Sequence, residues 1–211
     1  MKIGVDEAGR GPVIGPLVVC AFAQISENQL SDLGVKDSKL LSVKKRNEIY
    51  EKLIEMPHRV VVCSPERIDN SDNLNKLEVE LFAEALENMP QGKVILDACD
   101  VNAERFGKNV SRLSKRECVA EHKADEKFLC VGAASIIAKV TRDKIIQQIS
   151  DSIGFDIGSG YPSDPKTITA IKKLVSGDTP HECLRWSWKT VEKAWGGKTP
   201  PRPNSNQKTL F

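Results

Sequence analysis

With 211 residues, 40% of them hydrophobic and 28% charged, the chain has the make-up of an ordinary globular protein with room for one generous core. That balance excludes collagen-like, fibrous and wholly disordered classes, and the longest apolar run, Val13 to Ala23, is interrupted by Gly15 and Pro16 and is too short to span a bilayer. A net charge of +2 does not by itself announce a nucleic-acid partner.

In chain order, Ile3–Asp6 and Leu17–Ala23 are rich in Val, Ile and Phe and flank a Gly/Pro loop, which predicts two consecutive strands. Val43 to Glu55 carries Ile49, Leu53 and Ile54 at helical spacing, with Ser42 placed to cap it. Arg59–Ser64 reads as a third strand. Asn73 to Met89 repeats apolar residues as an amphipathic helix stopped by Pro90, and Lys93–Asp97 reads as a short buried strand ending in an acid. Val131–Ile153 reads as one long helix, Gly154–Pro165 as a turn-rich loop, and Thr167–Ser176 and Ser187–Trp195 as further helices. From Gly196 onward Gly, Pro, Asn and Lys dominate, the composition of a flexible tail. The order predicts an α/β fold, a mixed sheet flanked by helices with a helical C-terminal extension. The expected division is 1–150 for the sheet domain, 151–195 for the extension and 196–211 for the tail.

The opening residues hold no secretion signal, and six well-separated cysteines without C-x-x-C spacing read as free thiols. Both point to a cytoplasmic location without a membrane partner. Arg185 to the end holds six basic residues against Glu192 alone, and a second basic stretch runs from Arg105 to Lys123. Such clusters either track phosphates or form solvated faces.

Three acids stand where strands end: Asp6 and Glu7 after the first, Asp97 after Val94–Leu96. A carboxylate there must be paired, solvated or metal-bound. With Asp125, which precedes the long helix, they form an all-oxygen set suited to Mg²⁺ or Mn²⁺. Two such ions roughly 4 Å apart are a known means of phosphodiester hydrolysis. The segment Asp6-Glu7-Ala8-Gly9-Arg10-Gly11-Pro12 adds two glycines that let a ligand approach the main chain and, in Arg10, a cation for a phosphate. A plain turn between strands is the alternative.

These residues carry a resemblance. Gly4-Val-Asp-Glu-Ala-Gly-Arg-Gly-Pro12, Asp37-Ser-Lys-Leu40, Leu96-Asp97, Ala133-Ala-Ser-Ile-Ile-Ala-Lys-Val-Thr-Arg-Asp143 and Gly160-Tyr161-Pro162 resemble, in the same order, the segments of the type 2 ribonuclease H family, most closely its small archaeal members. The resemblance runs from residue 3 to about 190 and implies a ribonuclease H-like fold. It also implies an endonuclease that cuts the RNA strand of RNA–DNA hybrids and nicks 5′ of single ribonucleotides embedded in duplex DNA. Asp6, Glu7, Asp97 and Asp125 would hold two divalent ions, Mg²⁺ or Mn²⁺, and the ends left would be a 3′-hydroxyl and a 5′-phosphate. Glu126 beside Asp125, and Asp100 near Asp97, are neighbouring carboxylates that compete for those places.

By the same resemblance, Gly9, Arg10 and Gly11 read the ribose 2′-hydroxyl, which tells RNA from DNA at one sugar. Tyr161 stacks on the deoxyribose side of the junction, or, on its own merits, packs on Pro162 in a turn. Lys39, Arg46, Lys139 and Arg142 are candidates for phosphate contacts, and Ser135 for orienting the site. For Arg46 a solvated helix face, and for Arg142 pairing on the helix surface, are the alternatives. The tail Gln207-Lys-Thr-Leu-Phe211 resembles part of a peptide that docks on sliding clamps: Gln207 and Leu210 match, and the aromatic Phe211 comes early. An inert tail is the alternative, and a monomer is expected. Rival readings are a type 3 ribonuclease H, which needs longer RNA stretches, and a non-catalytic hybrid-binding module.

Overall fold

The computed structural model describes residues 1–35 and 41–197. The Asp37–Leu40 motif with Lys39, and the tail positions Gln207, Leu210 and Phe211, lie outside the described residues.

Five strands form one mixed sheet in the order β3-β2-β1-β4-β5. The strands are β1 (Lys2–Ala8), β2 (Leu17–Gln24), β3 (His58–Cys63), β4 (Lys93–Asp97) and β5 (Cys118–Glu121). β1 runs antiparallel to β2, with Asp6 opposite Cys20, and parallel to β4, with Val5 opposite Leu96; β4 and β5 are parallel. Every residue of β2 is buried, which is why it reads as an unbroken apolar run rather than as an alternation.

The helices are α1 (Glu27–Asp32), α2 (Val43–Leu53), α3 (Pro65–Asp69), α4 (Leu74–Ala85), α5 (Ala103–Ser114), α6 (Ala124–Lys127), α7 (Leu129–Ile153), α8 (Pro165–Leu174) and α9 (Lys189–Ala194). Local chemistry starts several of them. Ser42 accepts the Lys45 N–H at the head of α2, Asn73 caps α4, and Asp164 caps α8 with Pro165 at its first position.

The expected strands and long helices are present within a residue or two, except that α4 ends at Ala85, four residues short of the expected Met89. The stretch from Ala103 to Glu121, expected only as a basic run, instead holds α5 and β5. Its apolar signal is thin because the buried face of α5 is Phe106, Gly107 and Val110. Gly107, which alone would suggest a break, is where that helix presses against β5: an added Cβ would stand 3.2 Å from the Ala120 nitrogen.

The chain groups into two compact units, interleaved along the sequence. One comprises Met1–Ala8, Val18–Val62 and Asn73–Thr141; the other comprises Gly9–Leu17, Cys63–Asp72 and the chain from Arg142 onward. The sequence boundary expected at residue 150 falls within α7, and α7 changes unit between Thr141 and Arg142. In the first unit Ile95, Ala124, Cys130 and Val131 pack as one cluster, and Phe82 meets Phe106 edge-on at 5.0 Å between ring centroids. The second unit has its own core, in which Val13 and Ile14 join Ile146, Ile149, Ile157, Ile171, Leu184 and Trp186.

Candidate active site

The acid group is built on β1, β4, α6 and the first half of α7, all within the first unit. Gly4 is the starting point. A Cβ there would overlap the backbone of Cys130 and Val131, so the missing side chain lets the beginning of α7 lie directly on β1. Two residues along, on the same face of the strand, Asp6 is 4% exposed, and the Ser135 hydroxyl, one turn after Val131, hydrogen-bonds its carboxylate. The Glu7 N–H donates to Asp6 Oδ1 at 2.7 Å.

Because β1 and β4 run parallel with Val5 beside Leu96, the next residue of each is an acid at the same end of the sheet: Asp6 and Asp97. Burial, reinforced by repulsion from Glu7 and then Asp97, pushes the Asp6 carboxyl well above the usual carboxylate range. The same crowding reaches the neighbouring strand, where burial and then Asp6 push up the Cys20 thiol.

Asp97 Oδ1 accepts the Ala124 N–H at 2.8 Å, which ties the start of α6 to the end of β4. The next residue, Asp125, is 6% exposed, whereas Glu126 is exposed to solvent. Asp100 is also buried but is gripped by Arg105, whose Nη2 stands 2.7 Å from both carboxylate oxygens, so its charge is already matched. Half-buried Cys99 donates its thiol to Glu7 Oε2 at 3.3 Å, a neighbour that no sequence signal marks.

Among the described residues no three His, Cys, Asp or Glu side chains are gathered into a ready-made ion cage. The chemistry of the set nevertheless fits a hard divalent cation. Its donors are carboxylate oxygens, and the burial and repulsion that hold Asp6 up are the costs such an ion removes.

The Gly9-Arg10-Gly11 segment belongs to the second unit, where its backbone is clasped from several sides. Val13 and Ile14 donate their N–H groups to the Gly160 carbonyl at 2.8 and 3.2 Å, and Gly15 donates to Cys183 at 2.8 Å. Arg185, 0% exposed, sends Nε to the Gly15 carbonyl at 3.0 Å, Nη1 to Arg10 at 2.9 Å and Nη2 to Gly9 at 2.5 Å. Burial, with Arg142 adding a second positive charge, pulls the Arg185 guanidinium down to about 9, which leaves it protonated at neutral pH. Gly9 has φ +97°, and Gly11 lies 3.7 Å (measured from a Cβ built on it) from Cε1 of the half-exposed Tyr161 ring.

Arg142 requires a correction. Expected at a phosphate or on the helix surface, it is 2% exposed and donates Nη2 to the Ile14 and Ser159 carbonyls, each at 3.2 Å, with its guanidinium 5.3 Å from the centre of the Tyr161 ring. It holds the loop through those two carbonyls. Arg46 is half-buried on α2 and donates to the Leu41 carbonyl at 3.2 Å, closing the helix start rather than forming a fully solvated face. Ser135 and Lys139, four residues apart, are the half-buried positions in a stretch of α7 that is otherwise buried from Cys130 to Val140. Sequence reasoning gave no firm task to Arg185 and none to Asp69, because both act through distant backbone.

A mixed sheet in this order, with a buried and a half-buried acid, Asp6 and Asp97, at the same end of adjoining parallel strands, defines a ribonuclease H-like nuclease. The profile of the family described as Ribonuclease HII matches residues 3–191. A Ribonuclease HII of Methanocella arvoryzae is 48% identical over 202 residues, covering 89% of this chain and 88% of its own. Among solved structures, the PCNA:RNase HII complex from Archaeoglobus fulgidus superposes with a TM-score of 0.85 at 40% identity, covering 100% of this chain and 98% of that one. The ribonuclease H2 from Pyrococcus horikoshii gives 0.84 at 40% identity, over 92% and 97%. The chain belongs to the Ribonuclease HII family, and it is a hydrolase, an endonuclease of the ribonuclease H class.

Proposed function

We propose that the chain cleaves the RNA strand of RNA–DNA hybrids and nicks 5′ of single ribonucleotides in duplex DNA, leaving a 3′-hydroxyl and a 5′-phosphate. The observation that carries the reading is the buried Asp6 carboxyl, forced against Glu7 and Asp97 where two parallel strands end. Asp6, Glu7, Asp97 and Asp125 would hold two divalent ions, Mg²⁺ or Mn²⁺. When bound, such ions lower the pKa of a water and take up charge on the departing oxygen.

The protein's own part is positional. Ser135 fixes the rotamer of Asp6, and the Ala124 N–H fixes one oxygen of Asp97. Gly9, Arg10 and Gly11 read the 2′-hydroxyl through the main chain, Tyr161 stacks on the neighbouring sugar, and Lys39 and Lys139 neutralise phosphates. Residues 1–150 carry the catalysis, and 151–195 extend it with helices. The Archaeoglobus relative was solved in a PCNA:RNase HII complex, which supports a sliding clamp as partner, and the tail residues Gln207, Leu210 and Phe211 are our proposal for its contact. A cytoplasmic monomer suits these tasks; among the described residues no helix is long and apolar enough to cross a membrane.

The test is a DNA duplex holding one ribonucleotide, incubated with Mg²⁺ or Mn²⁺ beside the Asp97→Asn variant. A metal-dependent nick 5′ of the ribonucleotide, lost in the variant, is the expected result. Cutting confined to longer RNA stretches would replace this reading with a type 3 activity. Hybrid binding without any cutting would leave a binding module.

A further inference from the structure

The loop from Gly9 to Gly15 is irregular backbone, so its shape depends on what its carbonyl groups hold. Three of those carbonyls, from Gly9, Arg10 and Gly15, point at one buried guanidinium, each taking a different nitrogen of Arg185. A fourth, from Val13, accepts the Arg185 backbone N–H at 2.9 Å. A guanidinium is a rigid planar fork of five donors, so three carbonyls bound to its separate arms are fixed relative to one another.

This fixes the donors too. In a trans peptide the N–H is directed opposite to the C=O it is bonded with. The Gly9 carbonyl shares its plane with the Arg10 N–H, and the Arg10 carbonyl with the Gly11 N–H. Turning both carbonyls onto Arg185 therefore aims both N–H groups away from it.

Arg185 is itself seated. Asp69, the last residue of α3 and 2% exposed, accepts the N–H groups of the next two residues, Trp186 at 2.6 Å and Ser187 at 3.0 Å, and the Ser187 hydroxyl at 2.5 Å. The Trp188 ring lies 5.0 Å from the Arg185 guanidinium. Asp69 and Arg185 also attract each other electrostatically.

We infer that Arg185 is a positioning residue for sugar discrimination, aiming the Arg10 and Gly11 N–H groups at the ribose 2′-hydroxyl, and that Asp69 seats it. The inference rests on the reading of Gly9-Arg10-Gly11 as the sensor of that hydroxyl. Lysine keeps the charge but offers one rotatable ammonium in place of three fixed arms, so Arg185→Lys is the informative change.

The experiment measures binding, not turnover, in an Asp97→Asn background with Mg²⁺ present. Two duplexes of one sequence are compared, one with a single ribonucleotide and one all-deoxy. The parent should favour the ribonucleotide by about tenfold, the worth of a well-made buried hydrogen bond. Arg185→Lys should bring that ratio close to one while its affinity for the all-deoxy duplex stays at the parent's value. A ratio that survives in Arg185→Lys overturns the inference, as does equal weakening for both duplexes, which marks a role in folding alone. A parent without preference sinks the 2′-hydroxyl reading itself, and the inference with it. Should Arg185→Lys not fold, Asp69→Asn, which keeps one of the two acceptor oxygens and sets an amide donor in place of the other, decides: its ratio should fall by about threefold, and an unchanged ratio overturns the inference.

Discussion

The two glycines that flank Arg10 look equivalent in the sequence, yet their surroundings predict opposite responses to alanine. At Gly9 a Cβ would stand 2.5 Å from Arg142 Nε, 2.6 Å from Arg142 Cδ and 2.7 Å from the Pro16 carbonyl oxygen, at φ +97°. Ordinary contact begins at 3.4 Å, so against the Pro16 backbone alone the shortfall is about 0.7 Å. Forcing a side chain into that φ costs about 1–3 kcal/mol, and overpacking of this kind about as much again. Taking the lower end of each, Gly9→Ala should lose about 2 kcal/mol, which for a chain of this length lowers Tm by about 4–8 °C. At Gly11 φ is not positive, and the added Cβ meets only Tyr161 Cε1, at 3.7 Å. Gly11→Ala should therefore stay within about 0.5 kcal/mol of the parent. Its methyl lies on the exposed side of the loop, in the way of a sugar approaching the main chain, so cleavage at a single ribonucleotide should fall by about tenfold or more. Thermal melting followed by circular dichroism, run beside a single-turnover cleavage assay, separates the two effects. A Gly9→Ala melting temperature within about 2 °C of the parent, or a Gly11→Ala variant destabilised as much as Gly9→Ala, would refute this account of the loop.

Three further outcomes are expected. Asp125→Asn should lose metal-dependent cleavage while Glu126→Gln keeps it, since Asp125 is buried where α6 meets β4 and Glu126 faces solvent; Mn²⁺ titration of both variants reads the difference. Alkylation of the native protein near pH 8, read by peptide mass spectrometry, should mark Cys99 first and leave Cys20 and Cys183 untouched; burial pushes Cys20 well up and Cys183 to about 12. Burial also raises the carboxyl of Asp69, so the native state holds that proton to higher pH than the unfolded chain, whose value is about 3.9. Its contribution to stability is then greatest in acid and declines as pH rises from about 4 through the native pKa. Urea melts from pH 4 to 7 should show that decline in the parent and a flatter profile in Asp69→Asn; equal profiles would remove Asp69 as its source.

Much of the sheet was legible because its central strands are buried on both faces and so appear as apolar runs; β2 and β4 are found on that signal alone. The acids were legible for the complementary reason: Asp6 and Asp97 interrupt or end such runs, where a carboxylate has no place without a task. What escaped depended on partners far away in the chain. Arg142 lies in a helix among polar residues, and nothing local tells that its guanidinium turns inward to the Ile14 and Ser159 carbonyls. Asp69 sits in the five-residue helix α3, and its value comes from backbone amides more than a hundred positions on. Hydrophobic period and cap chemistry are local signals, and they carry no information on where a loop's carbonyl groups find their donors.

The distance along the chain between Gly9 and its holder has a temporal meaning. The carbonyl of residue 9 waits for a side chain 176 positions later, whereas the strands that bear Asp6 and Asp97 have all their sheet partners by Glu121. During synthesis, in which the N-terminal part is first to fold, the acids can therefore assemble while the loop beside them in sequence is still unset. On the proposed reading of the loop, selectivity for the sugar is acquired only once Arg185 has been made, and a product truncated before Arg185 would have the acids without it.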